Sequence, residues 1–328
     1  MVDGGDFVSV IEAAYAAEPC ELSWLEGIVS NMDTVFGSRL PIIAYVVDAS
    51  DPSAFRAGTV VTRGMAEARV EETFALNRAH GPAVVRRIYA TSPQVVLLSE
   101  VLPSIRPTPG ARMRRLLYEV GTADVLALRG YSLDRRGVAL CATLPTLRVV
   151  PRTTRATLGR VARHLATGYR LRSQRSQQPE AILSPTGRID HAEPCAQDRR
   201  SLHELVEATN RISVARGRLR RESPERAVEL WRALVSGRWS IVETVERDGK
   251  RFLLARRNEL GVAHSRALTQ SQAEVLALAA AGHSNGAIAY ELGLSAARVS
   301  RALREGLARL GLRSRAELLA HCSEEQVR

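Results

Sequence analysis

"GHSNGAIAYELGLSAARVSRAL" (282–303) reads as two short helices joined by a tight bend. Ser284 can cap the first of them, whose Ile288 and Leu292 face inward. Gly293 ends it in the left-handed conformation that glycine tolerates. Ser295 caps the next helix, where Val299, Leu303, Leu307 and Leu310 recur at helical spacing as one buried stripe. Working outward, Thr269-Gln270-Ser271-Gln272 is a capping-box pattern. It opens a helix bearing Val275, Leu276, Leu278 and Ala279, which Gly282 stops. Ser314-Arg315-Ala316-Glu317 is a second such box and starts a fourth helix with Leu318 and Leu319.

Projected at about 100° per residue, Ala297, Arg298, Arg301, Arg304, Glu305 and Ala308 share the face opposite the stripe. Alanines let a helix backbone approach a groove, and arginines reach phosphates or pair bidentately with guanine. The stretch "LTQSQAEVLALAAAGHSNGAIAYELGLSAARVSRALREGLARLGLRSRAELL" resembles the LuxR/FixJ-type DNA-binding domain along its whole length. The signs are the leading Leu-Thr, the "GHSN" joint, "IAYELGLS", the Val-x-x-x-Leu of the third helix and "LGLRSRAEL". The resemblance implies an all-α four-helix helix-turn-helix domain over 263–328, with recognition helix 296–310 in the major groove of double-stranded operator DNA. It implies groove contacts by Ser300, Arg301 and Arg304, and phosphate contacts by Asn285 and Arg298. Projection alone agrees on Arg301 and Arg304 and leaves Ser300 at the rim. Two residues depart from the family pattern. Gly306 stands where a large aliphatic core residue is usual, and Gly286 replaces a longer side chain. On helix propensity each costs about 1 kcal/mol relative to alanine, so Gly306→Ala is expected to stabilise.

Composition narrows the rest. Of the 46 basic residues, 45 are arginine; Lys250 is the sole lysine, and net charge is +11. A Walker-type ATPase needs G-K-[ST], and "RDGKRF" around Lys250 does not supply it. A phosphoacceptor receiver domain needs a lysine near its aspartate pocket, and none precedes residue 250. The Trp-x-x-x-Tyr…Asp pattern of acyl-homoserine-lactone regulators is not found. Charge is uneven: net −5 over 1–110, +10 over 111–180, +4 over 181–263 and +2 over 264–328. Bulk charge would therefore point away from the DNA-binding segment. Four scattered cysteines give no disulfide framework or C-x-x-C pair. No run reaches the roughly 18 apolar residues of a membrane helix, and acids stand near the N-terminus where a secretory signal is basic. The expectation is a cytoplasmic protein without membrane contact.

Residues 1–172 read as one α+β unit. Helical spacing runs over Asp6–Pro19, and Ser23 can cap a helix carrying Trp24, Ile28, Val29 and Met32. "LPIIAYVVDAS" (40–50) is a buried strand, and helices are expected around 64–79 and 109–120. "ADVLALRGYSLDRRGVALCATL" gives two strands joined near Asp134–Gly137. A long helix follows over 153–172, with Leu158, Val161, Leu165 and Tyr169 on a stripe that suggests self-association. This order of elements resembles a GAF domain; an unrelated α+β interaction domain would share it. After a polar linker (173–180), residues 181–262 read as hairpin, helices and hairpin. Ser223 and Pro224 start the helix "SPERAVELWRALVSG", and Asp-Gly turns the last hairpin. That unit resembles a small PAS domain.

The sequence thus points to a transcriptional regulator with a sensor-like N-terminal region. It is expected to act as a homodimer, to bind RNA polymerase and to answer an unidentified ligand or protein. Alternatives are a sigma-factor-like polymerase subunit, disfavoured by the fourth helix, and an enzyme with a fused DNA-binding tail. Gly282-His283-Ser284-Asn285-Gly286 matches the G-x-S-x-G nucleophile elbow, but the residues before it are helical and Ser284 serves better as a cap. His191 and Cys195 do not make a metal site, because Pro194 interrupts any helix that could align them. No catalytic residue, metal or cofactor is expected.

Overall fold

The computed structural model describes residues 5–36, 40–51, 56–78, 85, 87–90, 93–101, 119, 121–147, 149–173, 179–231, 239–245, 251–257 and 268–319. Helices α1 (Phe7–Tyr15), α2 (Glu21–Asn31) and α3 (Asp33–Phe36) lead into strands β1 (Ile42–Asp48) and β2 (Arg56–Arg63). Helix α4 (Glu67–Arg78), strand β3 (Val95–Leu97) and helix α5 (Leu98–Val101) follow. Strands β4 (Asp124–Tyr131) and β5 (Arg136–Leu144) then precede α6 (Arg152–Ser173). The cap of α2 is Cys20, not Ser23: the Ser23 N–H donates to Cys20 Sγ at 3.4 Å. Ser23 is already the third helical residue, and its hydroxyl turns back to the Cys20 carbonyl at 3.1 Å. The helix expected at 109–120 lies outside the described residues, apart from Glu119, which is helical.

The strands pair antiparallel in the order β2-β1-β5-β4-β3. Alternation along β1 divides its side chains between two cores, as a period of two requires. Ile42, Ala44 and Val46 join Leu126, Leu128, Val138, Leu140 and Ala142 under α1, α2 and α6. Ile43, Tyr45 and Val47 face the other way, onto Phe74, Tyr89 and Tyr131. The edge strands β2 and β3 were not foreseen. β2 has no buried residue to make an apolar run, and β3 is three residues long.

Helix α6 lies over β4, where Leu158, Val161 and Leu165 are fully buried. Its stripe is therefore spent inside the chain and is not free for self-association. Gly168 allows α1 to cross at close range, since a Cβ there would sit 2.2 Å from the Ala14 carbonyl oxygen.

A second antiparallel sheet has the order β7-β6-β9-β8, from β6 (Ala181–Leu183), β7 (Ile189–Ala192), β8 (Trp239–Val245) and β9 (Arg251–Arg257). Between its hairpins run α7 (Arg199–Arg216), α8 (Leu219–Glu222) and α9 (Pro224–Leu230). Pro224 opens α9 as expected, but Ser223 makes no side-chain cap bond. The Asp-Gly turn of the last hairpin and residues 174–178 of the linker lie outside the described residues. Helices are expected between the hairpins, but the position of α7 was not, although Asp198 caps it and Leu205, Ala208, Ile212 and Ala215 mark its buried face. Trp231, Trp239, Ile241 and Leu253 join the buried cluster that also holds α1 and α6. Arg220 pairs with Asp6 and Glu12, and Arg216 with Glu12, along the same seam. The N-terminal half is thus α+β with two antiparallel sheets. Among the described residues, no helix is long and apolar enough to cross a membrane.

Candidate nucleic-acid interface

Helices α10 (Gln270–Ala280), α11 (Asn285–Glu291) and α12 (Ala296–Arg309) each start on the cap the sequence names. Thr269 Oγ1 accepts from the Gln272 N–H, and Gln272 Oε1 accepts from the Thr269 N–H, a complete capping box. Ser284 caps α11 through the Ala287 N–H at 3.2 Å, and Ser295 caps α12 through the Arg298 N–H at 3.2 Å. Each helix then ends the same way. Gly282, Gly293 and Gly311 adopt positive φ, and the next residue's N–H reaches back to the carbonyl of Leu278, Ala289 or Leu307. This is the Schellman closure, and it satisfies carbonyls that a helix end leaves orphaned. Residues 315–319 form the short fourth helix, α13. Ser314 caps it, while Glu317 reaches past the cap to the Arg313 N–H at 2.8 Å.

The closure after α12 corrects the expected stripe. Val299 and Leu307 are buried and Leu303 is half-buried, but Leu310 is 42% exposed. The turn at Gly311 carries Leu312 onto the core in its place.

On the opposite face Arg298, Arg301, Arg304, Glu305 and Ala308 are exposed, and Ser300 is exposed at its rim. The side chains of Arg298, Arg301 and Arg304 make no hydrogen bond or ion pair with any described residue. Asn285 is half-buried: its Nδ2 donates to Ser300 Oγ at 3.3 Å, and its Oδ1 accepts from Arg315 Nη1 at 3.5 Å. The structure thus gathers all five predicted residues on one side of α11 and α12, with Ser300 tied to Asn285. Two positioning roles are not legible in the sequence. Gln272 Nε2 donates to Glu305 at 3.2 Å and its Oε1 accepts from Arg309 at 3.1 Å, so one cap residue also clamps α12. Arg315 donates to the carbonyls of Ala279 and His283 at the end of α10.

Two helices at a tight bend, the second bearing an unpaired arginine face over a committed core, match a known family. Residues 266–322 match the family of bacterial regulatory proteins described as the luxR family. The chain carries a luxR-family DNA-binding domain. That domain supports a role in DNA-binding transcriptional regulation. No curated protein is similar to the chain at a significant level.

The luxR-family domain is also docked on the N-terminal half. Tyr290, on the side of α11 away from its own core, is buried against α6 and α9. His164 Nε2 lies 3.0 Å from the Tyr290 hydroxyl, which donates to the Val228 carbonyl at 3.2 Å. Since that hydroxyl has one proton, it must accept from His164 Nε2–H. His164 Nδ1 then accepts from the Tyr15 hydroxyl, 3.0 Å away. Burial, helped by Arg163 next door, lowers the His164 pKa to about 3, so the imidazole in this chain is neutral. Beside it Glu291 sits 3.4 Å from both Arg163 Nε and His283 Nδ1. Burial alone would raise the Glu291 carboxyl, but His283 and Arg163 hold it below its ordinary value. Gln94 closes the joint, accepting from Arg163 Nη2 at 3.2 Å and lying 3.3 Å from His283 Nδ1. Sequence reading brought none of the residues of this joint together.

Proposed function

We propose that α12 reads operator DNA, with Arg301, Arg304 and Ser300 toward base edges and Arg298 and Asn285 toward phosphates. The carrying observation is the exposed trio Arg298, Arg301 and Arg304, without partners among the described residues, on a helix whose other side holds the core. Unpaired guanidinium groups on a convex helix face are suited to phosphate and guanine contacts. The protein works by binding rather than catalysis, in the cytoplasm, as a homodimer on two-fold operators and in contact with RNA polymerase. Ser284, the residue at the elbow-like motif, is occupied as a helix cap.

The N-terminal half, GAF-like and then PAS-like, controls this reading as a sensor. The support is the buried joint in which α1, α6 and α9 share a hydrogen-bond chain with Tyr290. Selection of bound DNA from a random pool, with the full-length chain, tests operator reading: no enriched sequence would end it. Tyr290→Phe tests control, because it strands His164 Nε2–H and the Val228 carbonyl in the joint without touching the face of α12. About a fivefold or larger change in operator affinity is expected if the joint restrains the domain. An unchanged affinity would dismiss control through this joint and leave operator reading intact.

A further inference from the structure

The second face of the first sheet encloses a cavity that DNA binding does not use. Strands β1, β4 and β5 floor it and α4 covers it; its volume is about 100 Å³. On a scale where one water needs about 10–15 Å³ and benzene settles into about 150 Å³, this space is too small for a whole ring and suits a short acyl chain. Ile43, Phe74 and Val96 make its walls apolar, and Tyr45, Tyr89 and Tyr131 make them aromatic. The Tyr45 and Tyr89 hydroxyls lie 3.3 Å apart.

One lining residue does not belong in an apolar chamber. Arg129 is 3% exposed. Its Nη1 donates to the Ala90 carbonyl at 3.1 Å and the Arg87 carbonyl at 3.5 Å, while its buried Nε has no partner. No carboxylate forms an ion pair with it among the described residues; Glu100 feels its charge from a distance but is held by Arg155. A guanidinium does not give up its proton, so the charge stays. The neighbours cannot offset it: burial pushes the Tyr45, Tyr89 and Tyr131 hydroxyls up, and the Cys141 thiol up to about 12. A buried cation without an anion is among the costliest arrangements in a protein interior, unless something else supplies the charge.

We infer that this cavity is a binding site for a small apolar carboxylic acid, whose carboxylate pairs with Arg129 and whose hydrocarbon body lies among Ile43, Phe74 and the tyrosines. A carboxylate accepts from a guanidinium in its own plane, which is the geometry a free Nε–H offers. The site is defined by the cavity and Arg129 alone and stands whether or not the N-terminal half controls DNA binding. Its occupant would nonetheless be felt at the joint. The Arg129 backbone N–H donates to the Gln94 carbonyl at 2.7 Å, and the Gln94 side chain touches Arg163 and His283.

Calorimetric titration of the full-length chain with butyrate, pentanoate and the neutral 1-butanol tests the assignment. At least one acid is expected to bind one-to-one, about tenfold or more tighter than 1-butanol. Arg129→Met is expected to abolish the preference for the acid while still taking up 1-butanol, which reports an intact chamber. Arg129→Gln serves if the methionine variant does not fold, and the acid-against-alcohol preference of the unaltered chain decides independently of either. Absence of binding by both acids at millimolar concentration overturns the site. So does an acid that binds no better than the alcohol, or one that binds Arg129→Met as well as the unaltered chain.

Discussion

The arginines of the 111–180 segment and those of α12 have opposite fates. The first segment has net charge +10, yet most of its described arginines are engaged within the fold; Arg152 is an exposed exception. Arg136 pairs with Asp48, Arg155 with Glu100, Arg160 with Glu229 and Arg163 with Glu291. Arg172 donates to the Glu18 carbonyl and lies over the Trp24 ring. The segment from 264 onward has net charge of only +2, but it presents three arginines with no partner among the described residues. The number of positive charges does not decide what is offered to a polyanion. The supply of acids and carbonyls around each one does.

The largest effect that could break this contrast lies in the joint. Glu291→Gln leaves Arg163, whose side chain is 8% exposed, without its counter-charge and His283 facing an amide. Loss of one partner from such a pair is expected to cost about 3 kcal/mol in chemical denaturation of the full chain. Arg304→Ala, on the exposed face, should stay within about 0.5 kcal/mol. Similar losses at the two positions would show that the arginines do not differ in the way described.

On DNA the ranking should invert. Arg301→Ala is expected to weaken operator binding by about 1–3 kcal/mol and to relax the preference at one base position. Arg298→Ala, near the start of α12, should weaken all sequences alike and lower the salt slope by about one unit. Titrations of both variants against operator and scrambled DNA at several salt concentrations separate the roles. Equal weakening of the two DNAs by Arg301→Ala would make Arg301 a phosphate clamp and move base reading to Ser300 or Arg304.

Acid should act on the joint and not on the recognition face. His164 has an ordinary pKa of 6.5 and about 3 in the folded chain, so below pH 6.5 the unfolded chain takes a proton that the folded one refuses. Stability is therefore unaffected by this group above pH 6.5 and falls by up to about 1.4 kcal/mol per pH unit as pH drops toward 3. Glu291, held below its ordinary value, adds a loss of the same sign at lower pH, as it takes up its proton. Melting temperatures between pH 7 and 5 should fall more steeply for the unaltered chain than for His164→Gln. Parallel curves would remove His164 as the source.

The smallest effect compares two glycines of the luxR-family domain. A Cβ at Gly306 would stand 2.8 Å from Leu276 Cδ1 and 3.2 Å from its Cγ, whereas one at Gly286 meets nothing within 4 Å. Both alanine variants gain up to about 1 kcal/mol of helix propensity, but overpacking at Gly306 costs about 1–3 kcal/mol. Gly306→Ala is thus expected to lower stability by about 1 kcal/mol, reversing the expectation from propensity alone. Gly286→Ala should raise it by about 0.5–1 kcal/mol. Melting curves that move in the same direction would mean that Leu276 yields to the added methyl.

What the sequence by itself determined is local. The caps at Thr269, Ser284, Ser295 and Ser314 and the glycine stops at 282 and 293 were legible because each motif closes its hydrogen bonds within a few residues. The exposed arginine face followed from the period of the helix. Where a stretch lacked such signals it was missed, as with edge strand β2 and with α7, whose buried face relies partly on alanines. The tertiary structure decided the partners. Nothing near His164 in the chain announces Tyr290, 126 residues away, and nothing near Arg129 announces that three tyrosines will close around it with no ion-paired carboxylate among the described residues. Leu276 filling the notch at Gly306 is the same kind of fact. A helix cap is specified by the backbone it ends, whereas a buried side chain acquires its pKa, its hydrogen bonds and its room from whatever the fold packs against it.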